Sequence, residues 1–380
     1  MTTLIRLSVI TATLILLSAC NFSERLAKGE PVASSKLDKY SSGWNTIDTA
    51  GDTVCSDGSA YKFFFRPGLS EKLMVYFQGG GACWSGSTCD PDLEPSYKIN
   101  LSQVDPGVFD GILNFNNSEN PLTDYSIVFV PYCSADVHIG DTLAEYQAPA
   151  TGNHQSHPVR IEHRGYINVD AVLEWTYSHF FNPESIFVTG SSAGSIPSPY
   201  YAMVIADHYP DSRVTQLGDG SGGYRSTGDV VLPQTTWATL QRLLTMPEFT
   251  ELNSRPFGYT DLYIAAAQRH EQMQLAQYDT AEDKIQKHFL ELLGIEPTKL
   301  FSLILANHEE IRASVKNYNI YVAGGDLHTI LLRPEFYTYH VDGLPVRDWV
   351  ADLVAGKVVT DVKCNQCDRA EIIGVEVYEN

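Results

Sequence analysis

The stretch that most limits how this chain can fold is Ile186-Phe187-Val188-Thr189 running straight into Gly190-Ser191-Ser192-Ala193-Gly194-Ser195. A short buried-type strand that breaks into G-x-S-x-G has few structural solutions. When such a strand turns sharply into a helix, the central residue takes a strained backbone conformation, and the residues two before and two after must be small to avoid collision. The turn lifts the central hydroxyl above the sheet edge, at the N-terminus of the next helix. The competing reading is a plain Gly/Ser turn. The strand before the motif and the small residues around it favour the elbow, which makes Ser192 the candidate nucleophile. Pro197 and Pro199 follow closely; they fit the first turn of a helix, where proline is tolerated, or delay its start.

The same pattern recurs along the chain. Apolar runs at Tyr61 to Phe65, Lys72 to Phe77, Ser126 to Val130, Val214 to Leu217 and Ile320 to Val322 each end near Gly, Pro or Asp. Helix-like segments lie between them at Arg164 to Phe180, Tyr200 to His208 and Trp237 to Leu244. Buried strands alternating with helices predict an α/β class with a mostly parallel sheet. The stretch 232–300 is more polar and helix-rich and reads as an insertion beside the site. Within it, Met273 to Tyr278 alternates only partly, so helix and strand stay open there.

A serine acyl-transfer site needs oxyanion donors, a base and an acid. Gly79-Gly80-Gly81-Ala82 directly follows the strand at 72–77, where esterases carry a glycine-rich oxyanion loop. Gln78 stands where that pattern has His. The expected donors are the amides of Gly80 or Gly81 and of Ala193, the residue after the nucleophile. The chain has eleven histidines. His328, in the loop Gly324-Gly325-Asp326-Leu327-His328 after a strand, is the candidate base, and His340 is the runner-up. For the acid, Asp219 at the end of one strand and Asp279 after Gln277-Tyr278 are equal on pattern.

The N-terminus reads as a targeting segment. Arg6 precedes an apolar run from Leu7 to Leu17, and Leu17-Ser18-Ala19-Cys20 follows. The run is short for a membrane span and fits a signal-peptide core. Its ending resembles the bacterial lipoprotein cleavage box, with Cys20 as the lipidated residue. Residues 1–20 are expected as signal peptide, 21–45 as a flexible tether and 46–380 as one catalytic domain. Both this reading and an ordinary secretory signal export the protein. A lipid on Cys20 would anchor it to the cell envelope, and Asn21 is compatible with outer-membrane sorting. Of seven cysteines, six remain after Cys20: Cys55, Cys83, Cys89, Cys133, Cys364 and Cys367. An even set in an exported chain reads as disulfides. Cys364-x-x-Cys367 has no second pair and no nearby His, so it reads as a structural staple and not as a zinc or redox site. The net charge of −20 repels a phosphate backbone and argues against a nucleic-acid partner.

Several motifs together carry a family resemblance. Tyr76-Phe77-Gln78-Gly79-Gly80-Gly81-Ala82-Cys83-Trp84, Pro131 to Val137, Cys55-Ser56-Asp57-Gly58-Ser59 and the elbow at 190–194 resemble segments of the pectin acetylesterase/Notum family, in the family's order. The resemblance implies an α/β-hydrolase fold and a serine carboxylesterase that needs no metal or organic cofactor. It implies Ser192 as nucleophile and His328 as base. It tips the acid to Asp279, in the segment Tyr278-Asp279 with Glu282-Asp283 close behind, and leaves Asp219 as an aspartate near the site. It also implies the pairs Cys55–Cys133 and Cys83–Cys89, leaving Cys364 with Cys367. The expected substrate is an acylated carbohydrate such as acetylated pectin. The acidic chain gives no electrostatic help with a polyanion, so a neutral acetylated glycan suits it at least as well. The alternatives are an esterase for fatty-acyl esters and a catalytically degenerate glycan-binding lipoprotein.

Overall fold

The computed structural model describes residues 37–68, 71–152, 155–226, 233 and 236–374. Cys20 and the signal segment lie outside the described residues. A nine-stranded sheet organises the chain. Its strands, numbered along the chain, are β1 (Asn45–Asp48), β2 (Lys62–Arg66), β3 (Lys72–Phe77), β4 (Ser126–Val130), β5 (Ser185–Ser191), β6 (Arg213–Asp219), β7 (Gln274–Thr280), β8 (Tyr318–Ala323) and β9 (Val362–Lys363). Their order across the sheet is β1-β2-β4-β3-β5-β6-β7-β8-β9. β2 pairs antiparallel with β1 and β4, and every later neighbour pair is parallel.

β3, β4 and β5 are buried on both faces and read as apolar runs, and alternate residues serve two cores. Leu73, Val75 and Phe77 of β3 join one apolar cluster, while Met74 and Tyr76 join the other. Helices α1 (Gly165–His179), α2 (Ser198–His208), α3 (Tyr259–Arg269) and α5 (Leu300–Ser314) contribute to the first cluster; α6 (Val346–Val354) fills the second through Trp349, Val350 and Leu353. The remaining long helix, α4 (Lys284–Leu292), follows β7 and leads to the site.

One open reading closes, one expectation changes and one element is new. The ambiguous stretch at 273–278 is a central strand, β7, flanked by β6 and β8. Its polarity misleads because Gln277, fully buried, is satisfied by tertiary partners: the hydroxyls of Tyr259 and Tyr263 each donate to its Oε1 at 2.6 Å. Residues 37–45 are not free tether. Leu37 is buried, and Tyr40 packs edge-on against Phe65 and Trp175. An antiparallel hairpin, Thr142–Ala148 with His157–His163, was not among the strands expected. Cys55 pairs with Cys133, Cys83 with Cys89 and Cys364 with Cys367.

Candidate active site

The elbow forms at the carboxyl end of β5. Ser192 has φ 55°, the left-handed region that side chains rarely enter. Its two glycines are required by contact. A Cβ on Gly190 would lie 2.3 Å from the Gly194 carbonyl oxygen, and one on Gly194 would lie 2.1 Å from that of Phe77. After one 3-10 turn, Ser192–Gly194, the chain enters α2. Pro197 is the N-cap of α2 and Pro199 sits in its first turn, where no N–H is needed.

His328 lies in the loop after β8, and its Nδ1 is 2.7 Å from Asp283 Oδ2. A carboxylate only accepts, so Nδ1 carries the proton and Nε2 presents a lone pair. That Nε2 is buried with no hydrogen-bond partner. Asp283 is the N-cap of α4: its Oδ1 accepts from the Ile285 and Gln286 amides at 2.9 and 3.0 Å, leaving Oδ2 for the imidazole.

The expected partner, Asp279, does not bond His328. Asp279 is still inside β7, with its side chain turned into the protein. Its Oδ1 accepts from the Gly222 amide at 2.8 Å and Gln286 Nε2 at 3.1 Å, and its Oδ2 is 3.5 Å from His308 Nε2. Gln286 Nε2 also reaches Asp283 Oδ2 at 3.1 Å, so Asp279 stands behind the carboxylate that faces His328. Asp283, three residues beyond the strand, is free to project from the carboxyl edge of the sheet. One signal for it was in the sequence. An Asp immediately before the amphipathic run Ile285, Phe289, Leu290 is a helix N-cap pattern, at the strand-to-helix turn where such folds place function.

Asp219, the other candidate, joins the two loops. Its carboxylate accepts from Ser191 Oγ at 2.6 Å, next to Ser192, and from the Ile330 and Leu331 amides at 3.0 and 3.1 Å, just past His328. Tyr76 in turn donates to Ser191 at 2.8 Å. Burial pushes the Asp219 carboxyl up to about 6, although its donors and the nearby His328 favour the charged form. His340 sits in a separate small strand, 3.3 Å from Glu371.

The glycine loop presses on the elbow: a Cβ on Gly79 would meet Ser192 Cβ at 2.8 Å. Gly81, at φ 79°, and Ala193 line a cavity together with Ser192. Gly80 is not among the lining residues, and its carbonyl accepts from the Lys98 amide at 2.9 Å. The walls are apolar, from Trp84, Val137, Ile196, Trp237, Phe289 and Leu293, and the cavity volume is ≈ 50 Å³. Val137 reaches it from a strained loop in which Ala135, Val137 and His138 have φ of 62°, 49° and 62°. Asp136 holds that loop, accepting from Ser134 Oγ at 2.6 Å and from the Gly165 and His138 amides at 2.7 and 3.1 Å. A β-branched residue at positive φ persists only where its surroundings over-determine it.

Comparison with known proteins agrees with this architecture. A family model described as Pectinacetylesterase matches residues 36–255. Palmitoleoyl-protein carboxylesterase NOTUM of Schmidtea mediterranea is 30% identical over 150 residues, which are 37% of this chain and 26% of that protein. The inactive palmitoleoyl-protein carboxylesterase notum1b of Danio rerio is 35% identical over 93 residues, 23% of this chain and 67% of that protein. The match therefore spans about a quarter of the planarian relative's length. The Wnt deacylase Notum from Drosophila, in a second crystal form, superposes with a TM-score of 0.59 at 17% identity, over 85% of this chain and 97% of that one. At such identity the superposition speaks for the fold. With a family model matched over more than half its length and a Notum-like parallel sheet, this chain belongs to the pectinacetylesterase family and has the α/β-hydrolase fold.

Proposed function

We propose that the chain is a serine carboxylesterase that removes short acyl groups, acetyl foremost, from a carbohydrate such as pectin. The observation that carries this reading is the elbow at Ser192, at φ 55°, opening into an apolar cavity shared with Gly81 and Ala193. Ser192 Oγ attacks the ester carbonyl while His328 Nε2 takes its proton. Asp283 holds Nδ1–H and stabilises the imidazolium. The amides of Gly81 and Ala193 receive the oxyanion. The alcohol leaves with the proton from His328, and water then releases the acid from the acyl-enzyme by the same steps. The apolar cavity beside Ser192 takes the acyl group, and the matched family's description, Pectinacetylesterase, favours acetyl. Asp279 supports Asp283 from behind in this scheme.

Export, with a lipid on Cys20, belongs to the same proposal; the supporting features are the Arg6, apolar run and Cys20 order and three disulfides among the described residues. Relatives named as inactive make a test of turnover essential. Acid release from acetylated pectin, acetylated xylan and a fatty-acyl ester is measured with the domain from residue 37 onward and its Ser192→Ala variant. Release from an acetylated glycan that vanishes in the variant supports the proposal. Turnover that survives in Ser192→Ala removes the nucleophile, and a preference for the fatty-acyl ester removes the short-acyl assignment.

A further inference from the structure

Away from the cavity, Asp90, Asp92 and His157 each bring one ligand atom to within 4.8 Å of the others. We propose that these three residues bind one divalent cation of the imidazole-accepting kind, with Zn2+ as the representative ion.

The polarity of the cluster carries the argument. The Asp90 side chain is 0% exposed, yet its Oδ2 has no hydrogen-bond partner. Its Oδ1 accepts from the Asp92 amide at 3.0 Å, which fixes the carboxylate and aims Oδ2 at His157 Nε2, 3.5 Å away. That is too long for a hydrogen bond. The other imidazole nitrogen, Nδ1, is 3.0 Å from the Gln155 carbonyl oxygen, which can only accept, so Nδ1 bears the proton. In the neutral ring, Nε2 therefore turns a lone pair toward a buried carboxylate oxygen. In that neutral ring two lone pairs face each other, a polarity that a proton on Nε2 or a cation resolves, and a cation also takes in the Asp92 carboxylate. Metal-binding imidazoles are commonly held in this way, by donating their other nitrogen to a carbonyl. Asp92, exposed, supplies a second carboxylate.

The donor set selects the ion. Two carboxylates and an imidazole, with room for water on the exposed side, suit tetrahedral zinc. Calcium and magnesium prefer all-oxygen shells. The position gives the ion a structural task. Asp90 and Asp92 follow Cys89, which is tied to Cys83, and His157 opens the second strand of the hairpin. The cation joins the disulfide loop to the hairpin, and that loop carries Trp84 of the cavity wall. None of the three ligands lines the cavity, so the ion takes no part in the proposed ester chemistry.

The test uses tag-free protein stripped with chelator, titrated with Zn2+ by calorimetry and melted with and without Zn2+. The expected result is one Zn2+ per chain and a raised Tm, with affinity at least roughly tenfold weaker in His157→Ala. Asp92 is exposed, so Asp92→Asn keeps the test decisive if His157→Ala is destabilised. Absence of saturable one-to-one binding overturns the proposal, as does wild-type affinity in both variants. A Tm rise with Ca2+ but not with Zn2+ overturns the imidazole-ligand assignment.

Discussion

Two aspartates four positions apart, Asp279 and Asp283, do different work because one lies inside a strand and the other caps a helix. Removing the charge of Asp283 leaves the imidazole without its acceptor, and Asp283→Asn is expected to lower kcat by about 10⁴-fold with the fold intact, as loss of the orienting carboxylate does in serine triads. Asp279→Asn is expected to act on stability instead. Its buried oxygens accept from Gly222 and Gln286, and mispairing them costs about 1–3 kcal/mol. Steady-state kinetics and urea unfolding of both variants separate the roles; a kcat loss in Asp279→Asn larger than in Asp283→Asn would reverse the assignment.

At the scale of elements, the turns are built on contacts that leave no room for change. The Gly194 contact with the Phe77 carbonyl couples β3, its glycine loop and the elbow into one unit. Gly194→Ala is expected to lower both Tm and turnover, and an active variant of unchanged Tm would show that the two segments are not so tightly joined. The disulfides should differ in weight because they close loops of different length in the unfolded chain. Sequence separations are 78 for Cys55–Cys133, 6 for Cys83–Cys89 and 3 for Cys364–Cys367. Replacing each pair by serine is expected to cost about 4–5 kcal/mol for the first and about 2 kcal/mol for each of the others. Denaturant titration checks the ranking, and equal losses for all three would contradict it.

At the scale of the whole molecule, pH dependence arises from buried groups pulled in opposite directions. Burial pushes Asp136 up to about 7 and Asp219 up to about 6, so their contributions to stability are full below the ordinary carboxyl value of 3.8 and are lost as pH rises through the raised values. Burial pulls His138 and His163 down to about 4, so their contributions are full above pH 6.5 and decline as pH falls. The opposing slopes overlap between about pH 4 and 6.5, where the four groups largely offset one another. His163→Gln removes one acid-side loss. Relative to wild type, its unfolding free energy should therefore improve steadily as pH falls from 7 to 4, by up to roughly 3 kcal/mol. Urea unfolding at several pH values reads this directly, and a difference that does not change with pH would rule out a buried neutral His163.

The strand-to-helix elbow at Ser192, the glycine loop after β3 and the two-faced apolar runs were legible in the sequence. Each is set by local sterics: only glycine fits beside a carbonyl at 2.1–2.3 Å, and only strands covered on both sides are apolar throughout. His328 was legible as a loop residue following a strand. The carboxylate that His328 meets was not, because it depends on packing across 45 residues of chain. The identity of β7 was not legible either, since Gln277 is satisfied by the hydroxyls of Tyr259 and Tyr263 of α3. The Asp90, Asp92 and His157 cluster joins two segments whose approach depends on the hairpin and the Cys83–Cys89 bond. Local geometry is written in neighbouring residues, whereas partnerships between distant polar groups exist only once packing has brought them together.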